Sequence, residues 1–193
     1  MKFLKYLLYI VIVLVIVLVI VFFTKGFLTP SISYENEIAV NKPAKEAWAV
    51  MNDESNLPKW IKGIKKIELI SGTENTVGAV SKIYIEEDGQ EMVMEETVTA
   101  VKPNEHLAMT FTMDFMDMDY DIFFKEEGEK TIINSKSTTS GNGIIAKSMV
   151  SFMKGAMKEQ EDVNLNNLKE LIEANTKNYF SETVVNSSEA TEE

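Results

Sequence analysis

The feature that most restricts this chain is one change of hydrophobic period, at Gly141-Asn142-Gly143. Before it, apolar residues recur at every second position in segment after segment. After it, they recur at three and four. Period two marks strands with one buried face, and a period of about 3.6 marks a helix. The boundary therefore separates a strand-rich region from one long helix. A sheet with one apolar face needs a cover, and that helix is the only element long enough to supply it.

The first strand is expected over 32–40, where Ile32, Tyr34, Ile38 and Val40 alternate, with Asn36 as the polar exception. Further strands are expected over 65–71, 77–87, 91–101, 106–115, 118–125 and 131–139. Turn residues separate them, including the hairpin signal Asp88-Gly89. Strands at a spacing of about ten residues indicate an antiparallel meander. In the fifth, Leu107, Met109, Phe111, Met113 and Phe115 share a face opposite Ala108, Thr110, Thr112 and Asp114. The helix is expected over 144–174, with Ile145, Met149, Phe152, Met153, Ala156 and Met157 on one face. Leu168, Leu171 and Ile172 continue its apolar positions.

Two short helices are expected between the first and second strands. Pro43 suits a first turn, with Asn41 or Lys42 as cap, and Ala44, Ala47, Trp48 and Met51 form an apolar face. Asn52 and Asp53 break that helix, and Ser55 can cap a second that ends near Trp60 and Gly63.

Residues 7–23 are apolar without interruption. A membrane-spanning helix needs about 20 such residues. A cleaved signal has a shorter core of about 7–15 residues and ends in small residues. The run here closes with Phe22 and Phe23, and Thr24 and Lys25 follow, so an uncleaved anchor is expected. Lys2 and Lys5 precede the run and Lys25 follows it, which places the N-terminus in the cytoplasm and the domain outside. The expected division is an anchor at 1–25, a linker at 26–31, a domain at 32–177 and a disordered acidic tail at 178–193.

The chain carries 19 basic and 30 acidic residues, a net charge of −11, and it has no arginine. Such a surface is a poor match for nucleic acid. The absence of Cys removes thiolate chemistry, and one histidine, His106, cannot build a histidine metal site. Asp114, Asp117, Asp119 and Asp121 lack the spacing of a calcium loop and read as a solvated strand face. No metal and no cofactor are expected. Asn186-Ser187-Ser188 matches a glycosylation acceptor, a pattern of low specificity.

The segment from Asn41 through Pro43 to Trp48, then Asn52-Asp53, Leu57-Pro58 and Trp60, with Gly78 and Glu96 to Val98 further on, resembles the polyketide cyclase/dehydrase branch of the START-like (Bet v 1-like, SRPBCC) superfamily. The resemblance covers about residues 32–174 and implies an α+β helix-grip fold. In that fold a strongly curved antiparallel sheet of about seven strands wraps a long C-terminal helix and leaves a hollow between them. Members include lipid and sterol carriers, binders of hydrophobic hormones, and polyketide aromatases and cyclases. The resemblance transfers no catalytic residue.

Given that fold, Met92, Met94, Met109, Met113, Met149, Met153 and Met157 form a methionine-rich wall, with Phe111 and Phe115 beside it. Methionine is flexible and polarisable, which suits an adaptable pocket and equally suits a packed core. Ser135 and Ser137 share a face with Ile133 and either offer hydroxyls to a ligand or face solvent. Glu96 follows Met92 and Met94 at period two, with Val98 and Ala100 beyond. It faces the hollow unless a bulge turns it out, and a carboxyl there is a candidate acid or base. The expected function is a membrane-anchored domain that binds a hydrophobic small molecule or lipid, with its protein partners left open. The alternatives are a cyclase or dehydratase acting on a hydrophobic substrate, and a ligand-free scaffold.

Overall fold

The computed structural model describes residues 2–180 except position 88. Helix α1 (Lys2–Leu28) leads into strand β1 (Ser31–Val40), helix α2 (Ala44–Met51), a 3-10 turn (Glu54–Asn56) and helix α3 (Leu57–Trp60). Strands β2 (Ile64–Ser71), β3 (Val80–Glu87), β4 (Gln90–Lys102), β5 (His106–Thr112), β6 (Met116–Glu127) and β7 (Lys130–Gly141) follow, then helix α4 (Ile144–Glu173). The strands form one antiparallel sheet in the order β1-β7-β6-β5-β4-β3-β2. The chain thus leaves one edge, crosses through α2 and α3, and returns along the meander from the other. This is the expected α+β helix-grip arrangement.

Strand β1 shows period two in its purest form, with every second residue from Ile32 to Val40 buried. Asn36 belongs to that buried set. Its amide donates to the carbonyl of Lys158 (3.0 Å) and to Asp162, which fixes β1 beneath α4. The fully buried Leu165, Leu168 and Ile172 of α4 join Val40, Ala47, Val50 and Ile133 in the main core.

Several local expectations change. Pro43 is itself the cap of α2, and its side chain cannot accept a hydrogen bond. The open N–H of Ala44 donates instead to Glu126 Oε1, 2.8 Å away on β6. Asp53, not Ser55, caps the following turn by accepting from Ser55 N. The 26–31 linker shrinks because α1 continues to Leu28 and β1 starts at Ser31. Strand β5 ends at Thr112, so Met113 and Phe115 lie in the β5–β6 turn. In β4 the register shifts between Val98 and Ala100. Ala100 therefore pairs with Ala108, and Val101 pairs with the inward Leu107. The bulge falls beyond Glu96, which keeps its inward direction, and it is Ala100 that turns out.

The segment 178–180 packs back on the domain. Tyr179 Oη donates to Asp53 Oδ2 (2.9 Å), and Lys45 Nζ lies 4.0 Å above the Phe180 ring. The remainder of the expected acidic tail and Asn186 lie outside the described residues.

Among the described residues α1 is the one helix long and apolar enough to cross a membrane, a property it shares with signal sequences. Its last turns lie against α4. A Cβ on Gly26 would collide with Ser148 Oγ and stand 2.6 Å from the Ser148 backbone, so only glycine allows this approach. Phe22 stacks on Phe152 at 6.0 Å, with Lys25 Nζ 4.8 Å above the same ring.

Candidate functional site

The sheet's inner face and α4 enclose a cavity of about 540 Å³. Strand register explains which residues reach it. Glu96 pairs with Phe111 on one side and Ser81 on the other, and Phe111 pairs with Met118. All four line the hollow. One row along, Tyr34 pairs with Ser137, and Ser137 with Tyr120, across β1, β7 and β6. Helix α4 closes the space with Met153, Ala156, Met157, Gln160, Glu161 and Asn164.

Seven of the sequence candidates line this cavity: Met92, Met94, Met109, Phe111, Ser137, Met153 and Met157. Four do not. Met113 packs with Ile32, Met116 and Val150 in a separate cluster. Phe115 is 39% exposed, because the turn after Thr112 breaks the alternation that placed it inward. Ser135 is buried on the inner face behind the lining layer. Met149 is 47% exposed. Ala146 and Val150, one turn apart, take the sheet-facing side of α4, and Met149 lies about 100° away from Val150.

Glu96 and Glu161 are the carboxyls set deepest among apolar neighbours. Burial, reinforced by the nearby negative charge of Glu54, pushes the Glu96 carboxyl up to about 7. Burial also raises Glu161, although Ser135, Tyr120 and Asn164 beside it hold it partly back. Tyr120 Oη donates to Glu161 Oε1 at 2.8 Å. Burial raises Tyr120 well above the ordinary phenol range, and the Glu161 charge adds to this. Tyr34 is raised by burial as well.

Glu161, Tyr120, Met116 and Met118 escaped the sequence reading, although the signals were present. Glu161 continues the Met149, Met153, Met157 series by one more step of four. Tyr120 sits in the alternation Met118, Tyr120, Ile122, Phe124. Trp60, at the end of α3, lines the cavity, and its Nε1–H is buried without a partner among the described residues. Trp48 does not line it and packs edge-on to Phe124 at 5.4 Å.

His106 opens β5, where it stacks on Phe123 at 4.3 Å and lies 2.8 Å from Asp121 Oδ1. Thr110 donates to Asp119. No group of three or more metal-ligating side chains comes together among the described residues. A second hollow of about 360 Å³, between Lys42, Glu46 and residues 175–180, is bordered mainly by polar groups that already bond one another.

Residues 31–173 match the family described as polyketide cyclase / dehydrase and lipid transport. The chain belongs to this family. Its fold is shared by Ara h 8.0201, at TM-score 0.60 and 15% identity over 75% of this chain and 99% of that one. It is shared by the Zhui aromatase/cyclase from Streptomyces sp. R1128, at TM-score 0.63 and 15% identity over 74% and 94%. The protein TTHA0849 from Thermus thermophilus gives TM-score 0.61 and 17% identity over 73% and 97%. Identities this low establish the fold alone. No curated protein matches the chain in sequence. Within this polyketide cyclase/dehydrase family the domain has the hollow typical of proteins that bind hydrophobic ligands, and α1 lies outside the matched residues.

Proposed function

We propose that this protein is a membrane-anchored binding domain that holds a hydrophobic small molecule or lipid between its sheet and α4. The cavity carries the proposal. At about 540 Å³ it lies within the range of about 300–1,000 Å³ usual for ligand sites. Methionine and isoleucine dominate its wall, with a few polar groups placed along two rows of the sheet. Burying a ligand there contributes about 25 cal/mol per Å² of apolar area, less the cost of ordering it.

The contact between α1 and α4 supports an uncleaved anchor. Gly26 and Phe22 are packed against α4, so removing the N-terminal run would strip part of the domain's own surface. An anchor keeps the cavity close to a membrane source of ligand. The lysine balance favours a cytoplasmic N-terminus with the domain on the other side.

One observation favours a second reading, catalysis of the cyclase or dehydratase type. Glu96 sits inside the cavity with a midpoint near neutrality, which suits proton transfer. However, among the described residues no histidine or lysine lines the cavity to act with it.

The test is native mass spectrometry of the full chain, purified from cells in a non-ionic detergent. A discrete extra mass, lost on denaturation and absent from a folded Met153→Lys variant, is the expected result. An apo mass that persists after incubation with membrane lipid extract would favour the scaffold alternative and overturn the binding reading.

A further inference from the structure

The carboxyls that line the cavity are Glu54, Glu74, Glu87, Glu96 and Glu161, and among the described residues no lysine or histidine lines it. Glu54, Glu74 and Glu87 are exposed, and Glu87 is paired with Lys62, so Glu96 and Glu161 are the two that face the interior. The whole chain reinforces this bias with a net charge of −11. An anionic ligand deep in the cavity would therefore bring its charge to Glu96 and Glu161 with no lining lysine or histidine among the described residues to offset it, which is strongly unfavourable. A cationic ligand meets the opposite situation, and the field of an acidic protein also concentrates cations at its surface.

Glu96 is the sharper of the two deep carboxyls. Glu161 already accepts from Tyr120, whereas Glu96 has no hydrogen-bond or ion-pair partner among the described residues. Its cross-strand neighbours are Phe111 and Ser81, neither of them charged. Met92, Met94, Met109 and Met118 provide an apolar wall around it. The Trp60 N–H, on a side chain 6% exposed, is a second group left without a partner at this cavity, and it can take a ligand oxygen.

We propose that the ligand class of this cavity is the hydrophobic amine, with its apolar body against the methionine wall and its ammonium group on the Glu96 carboxylate. The proposal rests on the binding reading above and specifies the chemistry of that same site. An ammonium inside an apolar hollow needs a paired, hydrogen-bonded counter-charge, and Glu96 supplies one that the protein leaves unused. The Tyr34, Ser137 and Tyr120 row, with Glu161 beyond it, accommodates further polar groups on such a molecule.

The experiment is native mass spectrometry of the full chain in non-ionic detergent, with dodecylamine, dodecanol and dodecanoic acid in equimolar competition. A pH of about 8 keeps an alkylamine protonated while Glu96 is mostly ionised. Dodecylamine should occupy the protein about tenfold more than dodecanol, the ratio expected of one charge-assisted bond, with dodecanoic acid excluded. Glu96→Gln should bring the amine down to the level of the alcohol measured on the same variant. Ser81→Lys places a cation beside Glu96 and should have the same selective effect. Butylamine, which has the charge without the chain, should leave no adduct.

Equal occupancy by amine and alcohol overturns the proposal while leaving the binding reading intact. So does a preference that survives both variants, or an equal butylamine adduct, which would locate the preference on the acidic surface. Absence of all three long-chain adducts overturns the binding reading and this proposal together.

Discussion

Helix α4 divides at Met153 into two unequal halves, 144–152 and 153–173, that share one apolar rhythm and have different neighbours. In the first half Ala146 and Val150 are buried on the sheet side, whereas Ile144, Ile145, Met149 and Phe152 are 49%, 61%, 47% and 52% exposed, and the covering of Phe152 comes from Phe22 of α1. In the second half Met153 and Met157 face the cavity, and Leu165, Leu168 and Ile172 are completely buried. The outward side of the first half thus adjoins α1, and the second half adjoins the cavity and the core. A hydrophobic face on a helix shows that something apolar adjoins it, and leaves open whether that is a core, a hollow or another helix.

The largest difference should appear in stability. Leu168→Ala should cost about 2–5 kcal/mol, because no neighbour can collapse fully into the space it leaves. Phe152→Ala should cost less than about 1 kcal/mol, since half of the ring is already exposed. Denaturant unfolding of the full chain in non-ionic detergent measures both. Equal losses would mean that the two halves belong to one core.

The carboxyl opposite the second half gives the next effect. Burial pushes the folded Glu96 carboxyl up to about 7 from an ordinary value of 4.5, so the folded state holds its proton more tightly. Stability from this group is therefore complete below about pH 4 and falls as pH rises towards 7. Glu96→Gln should be more stable than the parent above pH 7, by about 1–3 kcal/mol, and equal to it below pH 4. Thermal melts across that range check it. A difference that does not vary with pH would show that the group is solvated.

Gly26→Val addresses the first half alone. Its side chain would collide with the Ser148 backbone, at an overpacking cost of about 1–3 kcal/mol that moving α1 aside relieves in part. Hydrogen exchange should quicken around residues 146–150 and stay unchanged at 165–172. Acceleration at both would couple α1 to the core.

The smallest effect lies just past the end of α4. Asp53 accepts from Ser55, Lys177 (2.7 Å) and Tyr179, and these partners hold its carboxyl well below the usual carboxylate range. The stability it contributes is present above about pH 4 and is lost as pH falls below that. Asp53→Asn should cost about 1 kcal/mol at neutral pH and nothing in strong acid. A cost that persists unchanged in acid would assign the effect to packing.

The alternation from Ile32 to Val40, the turn signal Asp88-Gly89 in the sequence and the period change at Gly141-Asn142-Gly143 were enough to specify strands, meander and covering helix. Those signals are local, because side-chain period is a property of the backbone itself. Glu96 was also legible, since two residues per step carried it inward from Met92. Other outcomes needed the assembled molecule. The bulge after Val98 reversed Ala100, the turn after Thr112 displaced Met113 and Phe115, and α4 chose Ala146 and Val150 over Met149 as its sheet-facing side. Glu126 supplied from β6 the cap that Pro43 cannot. By itself the sequence determined the element order, the membrane-length apolar helix and the acidic character of the protein. Tertiary structure alone decided that the space under α4 stays open, that Glu96 has no partner there among the described residues, and that α1 meets α4 at Gly26. Each of these depends on distances between residues far apart in the chain, and periodicity carries no information about those distances.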